Sequence, residues 1–334
     1  MTNLTSKQVY AGRTVLITGG AGCIGSNLAA ALAAAGAARI LVFDNLSSAS
    51  RWNVPDHPAV EFIEGSVLED AALRSAYGER PDYVYHLAAL FANQNSVDHP
   101  EQDLMINGLG TLKMLQFAQL SGVRRFVYAS SGCSVYGSHA PLPLKEDFVS
   151  IDLDTPYQIT KLLGELYGNF FFHYHQLAVV RARFFNVYGP GEVPGRYRNV
   201  IPNFLYWAMR KEPLPITGTG EETRDFTYVG DVVEGLLAAG AAEAAVGEAM
   251  NLASGTETTV AHLANLINEL TGNPAGVRYT VRRSWDHITR RCASVDKAGR
   301  LLGYRPSIDF ETGLRRTWEW FAAHWDRIRQ DARF

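Results

Sequence analysis

Two side chains in this sequence are spaced for proton transfer. Tyr157 and Lys161, in Tyr157-Gln158-Ile159-Thr160-Lys161, stand four residues apart at the start of a helical pattern, so they share one face a turn apart. Upstream, Ser130-Ser131-Gly132-Cys133-Ser134 closes an apolar run, where a serine hydroxyl can bond an oxygen that is losing its proton. A second constellation lies near the start. Gly19-Gly20-Ala21-Gly22-Cys23-Ile24-Gly25 carries the spacing GxxGxxG between a strand pattern and a helix pattern. Such a turn brings backbone close to a pyrophosphate at a helix N-terminus. Asp44 ends the next strand pattern, where a carboxylate accepts from both ribose hydroxyls of NAD and repels the 2′-phosphate of NADP. Arg51 is a nearby cation, and Asp44 argues against its greeting that phosphate. An ammonium and a positive nicotinamide beside a phenol both favour phenolate. Tyr157 is therefore expected to titrate below its free value of about 10 and to act as a general base.

The elements needed to hold these groups are legible. Strands are expected at Thr14–Thr18, Arg39–Phe43, Val60–Glu64, Tyr83–Leu87, Arg125–Ala129 and Ala178–Phe184. Helices are expected at Ile24–Ala35, Leu68–Tyr77, Leu104–Leu120 and Ile159–His175. Apolar strands alternating with helices predict a Rossmann-type α/β fold, a doubly wound parallel sheet with both faces covered. After Gly189-Pro190 the texture changes. Residues 190–200 read as a loop, followed by helices at Ile201–Lys211, Asp231–Gly240, Val260–Thr271 and Leu314–His324. This predicts an NAD-binding domain over 1–189, with 223–250 folding back onto it. A smaller mixed α/β substrate domain is expected from 190–222 and 251–334.

Composition narrows the class. The 334 residues are 47% hydrophobic and 19% charged, with a net charge of −3 and no basic block, which excludes the footprint of a nucleic-acid binder. Three scattered cysteines, Cys23, Cys133 and Cys292, form no zinc spacing, so no metal is expected. No apolar run is long enough to span a bilayer, and the N-terminus has no apolar signal core. A cytoplasmic protein without membrane contact is expected.

Seven ordered motifs then carry a resemblance: GGAGCIG, HLAA at His86–Ala89, YASS at Tyr128–Ser131, VYG at Val135–Gly137, YxxxK, RFFNVYGP at Arg183–Pro190 and TRDFTYVGDV at Thr223–Val232. Over about residues 12 to 320 the chain resembles the extended short-chain dehydrogenase/reductases that act on nucleotide sugars as epimerases, dehydratases and decarboxylases. The resemblance implies an NAD enzyme in which Tyr157 and Lys161 take the proton from the sugar O4 as hydride leaves C4. Ser131 matches the assisting hydroxyl. Because one extra residue precedes VYG, Ser134, or even Cys133, takes part of that role. It further implies cofactor contacts from Gly19, Gly22, Cys23, Ile24, Gly25, Asp44, Asn45, Ser47, Ser66, Val67, Leu87, Ala88, Ala89, Asn107, Tyr157 and Lys161, the last holding the nicotinamide ribose. Substrate contacts are implied for Phe91, Ser96, Asn186, Asn199, Val200 and Arg224, with Arg290 or Arg291 as a second cation near a diphosphate. Phe91–Ser96 and Gly195–Tyr197 are expected to set sugar selectivity. His86 is expected to pack the cofactor loop, and Trp207-Ala-Met209 to lie in the core. The aromatic run Tyr167–His175 is expected to pack in the core and against a partner subunit in a homodimer.

The reactions of the group part ways after the 4-keto sugar has formed. A 4,6-dehydratase carries an Asp-Glu pair before VYG, and here stand Cys133-Ser134. UDP-glucuronate decarboxylation to UDP-xylose or UDP-4-keto-xylose is placed first. Its favouring features are the stretch from Tyr188 to Val229 and the spacing of Arg290-Arg291 before Asp296-Lys297-Ala298. 4-Epimerisation of UDP-glucuronate, UDP-glucose or UDP-N-acetylglucosamine is the alternative. A non-catalytic NAD-binding regulator is the alternative of another class.

Overall fold

A computed structural model of the chain describes residues 8–283, 286 and 288–334. The first seven residues, part of the expected first domain, lie outside these. The β-branched runs form strands β1 (Thr14–Thr18), β2 (Arg39–Asp44), β3 (Val60–Glu64), β4 (Tyr83–His86), β5 (Arg125–Ser131) and β6 (Val179–Phe184). Ala249–Leu252 adds β7 at the sheet edge, in the order β7-β6-β5-β4-β1-β2-β3, and every pairing is parallel.

Helices α1 (Cys23–Ala34), α2 (Asp70–Gly78), α3 (Gly110–Leu120), α4 (Pro156–His175), α5 (Val200–Met209), α6 (Val229–Ala241), α7 (Val260–Thr271), α8 (Phe310–Ala323) and α9 (Trp325–Asp331) complete the main framework. One apolar core joins the sheet to α1 and α6 through Leu28, Leu32, Leu236 and Leu237. A second covers the other face with Leu73, Met114, Leu115 and Phe171 from α2, α3 and α4. A third gathers Phe204, Leu263, Leu314 and Phe321 beyond the sheet, with Trp207 and Met209 packed against it, as expected for that run.

Where the elements differ from expectation, tertiary bonds account for it. The Ile159–His175 helix begins three residues earlier, because Thr155 and Gln158 form a reciprocal capping box in front of Pro156. This places Tyr157 in the first turn. The single helix expected over Leu104–Leu120 is divided. Leu104–Leu109 runs with π-helical bonding before α3, an irregularity common near functional sites. Strand β7 has no clear sequence pattern because Asn251 sits in its middle. The Asn251 amide is buried, donates to the carbonyls of Leu144 and Ser294, both at 3.0 Å, and accepts from Tyr136 Oη at 2.7 Å. Those partners come from three distant segments.

One ion pair ties the helix bearing Tyr157 and Lys161 to the sheet. Arg183 on β6 donates two bonds of 2.8 Å to Glu165 on α4, and both side chains are 3% exposed. Ser130 Oγ also donates to Glu165, at 2.5 Å. These bonds hold the Glu165 carboxyl below its ordinary value despite burial. A lowered folded value means the stabilisation is present at neutral pH and is lost as pH falls through the folded value. Glu165→Gln is expected to cost about 3–5 kcal/mol, since it strands the buried guanidinium. Urea melts at pH 7 and pH 4 check this: the deficit should be largest at pH 7 and shrink in acid.

Candidate active site

Most of the candidate groups meet at the carboxyl ends of the strands. β1 ends at Thr18 before the glycine turn, β2 at Asp44, β4 at His86 and β5 at Ser131. The chain leaves β1 toward β2 on one side, while β4 lies on its other side, so a crevice opens at the carboxyl ends where connections diverge. That crevice is a cleft of about 680 Å³.

Its first half is built from the glycine turn. Gly19 has φ +66°, and a Cβ there would sit 2.7 Å from the Ala88 nitrogen. A Cβ on Gly25 would sit 2.4 Å from the Gly19 carbonyl. Both positions therefore require glycine. Asp44 accepts from the amides of Ala21 (3.1 Å) and Leu46 (2.8 Å), which fixes its carboxylate at the cleft wall. Of the expected cofactor residues, Gly19, Gly22, Cys23, Ile24, Gly25, Asp44, Asn45, Ser47, Ser66, Val67, Leu87, Ala88 and Ala89 all line this cleft. Asn107 does not. Its amide instead brackets the Leu90 backbone, accepting from N at 2.8 Å and donating to O at 3.2 Å, so it positions the loop that lines the cleft. Arg51 stacks on the Phe62 ring at 4.4 Å. His86 is buried and neutral, its pKa pushed down to about 3 by burial, and it bridges Thr18 and Thr111 beneath the loop, in the packing role expected of it. The backbone turn at Gly19–Gly25, the Asp44 carboxylate at the cleft wall and the volume together fit NAD.

The second half holds the proton-transfer groups. Ser131, Cys133, Ser134, Tyr157 and Lys161 line the same cleft. A one-turn helix at Gly132–Val135 folds Ser134 back, so that Ser134 Oγ donates to Ser131 Oγ at 3.0 Å. The extra residue before VYG thus gives two coupled hydroxyls, whereas Ser130, which also borders the cleft, gives its hydroxyl to the Glu165 ion pair. Lys161 Nζ donates to the Ala129 carbonyl at 2.9 Å and lies 5.6 Å from the Tyr157 ring centre. The expected lowering of the Tyr157 pKa is not met by the chain alone. Burial, then the charges of Asp103 and Cys133, raise it, and burial brings Lys161 down to about 8. Desolvation outweighs one ammonium at this separation.

The expected substrate residues divide. Phe91, Asn186 and Asn199 line the cleft, as do Gly195, Arg196 and Tyr197. Phe91 meets the Tyr157 ring edge-on at 6.0 Å, and Cys133 Sγ donates to Asn186 Oδ1 at 3.5 Å. Ser96 does not face the cleft. It is buried and accepts from the Tyr157 amide at 3.0 Å, which supports the first turn of α4. Val200 is the first residue of α5, outside the cleft lining. Arg224 pairs with Asp286 at 3.5 Å, also outside it. Arg290 is a surface residue bonded to Glu257 at 2.9 Å, so its long arm is spent there. Arg291 is the opposite case. It is 3% exposed, donates from Nη2 to the Cys133 carbonyl at 3.2 Å, and its Nε has no hydrogen-bond partner among the described residues. Four cleft residues carry no sequence motif: Glu192, Arg198, Asp331 and Arg333. Their only signal is charge inside a loop and near the chain end.

Among the described residues no helix is long and apolar enough to cross a membrane, and no cluster of His, Cys, Asp and Glu is arranged to hold a metal.

Comparison with known proteins agrees with this geometry. The family model of the NAD dependent epimerase/dehydratase family matches residues 15–253. A UDP-glucose 4-epimerase of Mycolicibacterium smegmatis is 33% identical over 310 residues, covering 92% of this chain and 97% of its own. Among solved structures, epimerase Mth375 of Methanothermobacter thermautotrophicus is 58% identical with a TM-score of 0.97, covering 98% of both chains. The Bordetella bronchiseptica enzyme WbmF, solved with NAD+ and UDP, is 40% identical with a TM-score of 0.85, covering 97% of this chain and 96% of its own. With its parallel seven-stranded sheet, its glycine turn facing Asp44 and its Tyr157/Lys161 pair, this chain belongs to the NAD-dependent epimerase/dehydratase family of nucleotide-sugar enzymes.

Proposed function

We propose that this enzyme inverts C4 of a UDP-linked uronic acid through a 4-keto intermediate. Arg291 carries the reading. A guanidinium this deeply buried costs free energy unless an anion meets it, and no carboxylate lies within ion-pair distance of it among the described residues. It lies outside the cleft lining, behind Cys133, which lines the cleft together with Ser134 and Tyr157. A sugar carboxylate is the anion that suits that place. UDP as the carrier is supported by the likeness to WbmF.

In this reading Tyr157 Oη takes the proton from the sugar O4–H, and the Ser134–Ser131 pair holds O4 as it becomes a carbonyl oxygen. When bound, NAD+ would supply the acceptor for the C4 hydride, its return to the opposite face of the 4-keto sugar, and a positive charge beside Tyr157. Lys161 holds the nicotinamide ribose and stands as a second cation 5.6 Å from the Tyr157 ring centre. After the sugar turns over, Tyr157 returns the proton to O4, and no net redox change remains. Oxidation at C4 makes a β-keto acid, which loses carbon dioxide readily, so a charged, hydrogen-bonded grip on the carboxylate favours its retention. Sugar selectivity falls to Phe91, Gly195, Arg196 and Tyr197.

Decarboxylation is the second reading, and the Cys133 thiol favours it. Burial raises its pKa and keeps it protonated, so it can serve as the proton donor to C5 that the position of Ser134 cannot. Incubation with UDP-glucuronate and NAD separates the two. A product of unchanged mass with inverted H4 coupling in its NMR spectrum supports epimerisation. Loss of carbon dioxide selects the second reading. Turnover of UDP-glucose or UDP-N-acetylglucosamine without any turnover of uronates overturns both.

Two further parts of the reading concern organisation. Residues 190–222 and 253–334 form the substrate-facing unit, and 223–252 belong with the sheet, two residues beyond the expected boundary because β7 runs to Leu252. The protein is a homodimer through α4: Ile159, Leu166 and Phe170 lie on one helix face and are half-exposed, with Leu104 and Met105 also exposed. Light scattering is expected to give twice the chain mass for the native protein, and the chain mass for the double variant Leu166→Glu, Phe170→Glu.

A further inference from the structure

The C-terminal residues cross the cofactor cleft. The Arg333 carbonyl accepts from the Arg196 amide at 2.8 Å, and Arg333 forms an isolated parallel bridge with Gly195. Asp331 takes hydrogen bonds from Ser50 Oγ and from Trp52 Nε1, the latter at 2.7 Å. Phe334 stacks against Tyr206 and Trp207, at 5.1 and 5.6 Å between ring centres. One short tail therefore joins the loop after β2, which follows Asp44, to the loop at 192–198.

That second loop lies on the glycine turn. Asn27 Nδ2 donates to the Pro190 carbonyl at 2.9 Å, Cys23 Sγ donates to it at 3.3 Å, and Asn53 Nδ2 donates to the Gly191 carbonyl at 2.7 Å. Arg198 stands close enough to Cys23, Glu192, Asp44 and Arg333 for their charges to act on it. Arg198 and Arg333 both line the cleft, and neither side chain makes an ion pair within 4 Å of another described residue. Two guanidinium groups thus face the place where the helix α1 N-terminus and the glycine backbone cradle a diphosphate.

We infer that Arg198 and Arg333 bind the cofactor's diphosphate from the side opposite the glycine turn, and that the tail from Asp331 to Phe334 is the latch that holds the cofactor in place. The inference rests on NAD being the cofactor and not on which sugar is turned over. The adenosine end of the cofactor cannot leave while Asp331 holds Ser50 and Trp52 and Arg333 holds Gly195 and Arg196. Charge-assisted bonds to phosphate are among the stronger polar contacts, so each arginine contributes to residence time.

The test is cofactor release. The full-length protein is loaded with NAD, stripped of free cofactor by gel filtration, and the bound NAD is followed with time by its absorbance after denaturation. Arg333→Ala and Asp331→Ala are each expected to release NAD about ten-fold or more faster than the parent, and Arg198→Ala to do the same. Arg300→Ala, a change at an exposed arginine outside the cleft, should release at the parental rate. Circular dichroism and melting temperature show whether each variant is folded. Parental release from a folded Asp331→Ala protein would overturn the latch, and from a folded Arg333→Ala protein the diphosphate contact of Arg333, whose hold on Arg196 runs through its backbone carbonyl. Parental release from folded Arg198→Ala would overturn the diphosphate contact of that residue.

Discussion

Tyr157→Phe is expected to lower kcat by about 10²–10⁴ while leaving NAD binding unchanged. The phenol is buried, lies in the first turn of α4, and shares the cleft with Ser134 and Lys161. Phenylalanine keeps the ring and its edge contact with Phe91, so packing survives and only the hydroxyl is lost. The pH profile is the discriminating readout. Because burial raises the Tyr157 pKa in the protein, the parental rate should climb with pH as the phenolate fraction grows. That limb should vanish in the variant. Lys161 adds a second signature: with its pKa brought down to about 8, it loses its charge in mildly alkaline solution, and the climb should level off there. A variant retaining more than about a tenth of the parental kcat would remove Tyr157 from the base role. Such an outcome would also bring forward the regulator reading, in which the fold binds NAD without turnover.

Arg291→Met should lower kcat/KM for UDP-glucuronate by roughly 10²–10³, the cost of truncating one partner of a buried charge-assisted contact. Methionine matches the length of the arginine stem and has no charge. UDP-glucose, which has a hydroxymethyl group in place of the carboxylate, should lose nothing when compared in the same preparation. The change in preference between the two sugars is therefore the quantity of interest. Arg291→Lys should recover only part of the loss, since an ammonium cannot keep the bond to the Cys133 carbonyl and present a second planar donor at once. Equal losses for both sugars would mean that Arg291 supports the fold around Cys133 and reads no carboxylate. In that event the 4-epimerase reading stands on Tyr157 alone, and the uronate part of it falls.

Residues with local signals are legible from their neighbours. Gly19 and Gly25 announce themselves because only glycine fits the turn, and Asp44 because it ends a strand a fixed distance after that turn. Tyr157 and Lys161 do so because helix periodicity alone places them on one face. The capping box at Thr155 and Gln158 is equally local, and it starts α4 three residues before the point that apolar periodicity suggests. Ser96 and Asn107 are different. Ligand contacts are expected of both, yet each spends its polar atoms on backbone: the Tyr157 amide in one case, Leu90 in the other. Nothing in the types or spacing of a serine and an asparagine tells whether they face a ligand or the chain.

Other outcomes belong to contacts between distant segments. Arg290 and Arg291 are neighbours of one residue type, and only packing sends the first to Glu257 at the surface and the second beneath Cys133. Ser130 and Ser131 divide in the same way, because a strand alternates faces and Glu165 waits on one of them. The tail at Asp331–Arg333 reaches Ser50 across 281 positions of sequence, a distance at which no local pattern operates. Periodicity, turn geometry and helix spacing are properties of neighbouring residues, so the parallel sheet, the glycine turn and the Tyr157/Lys161 pair are already written in the order of the chain. Which arginine is buried, which hydroxyls pair and which distant segments border the cleft depend instead on how burial and charge are matched, and that is settled only when those segments pack.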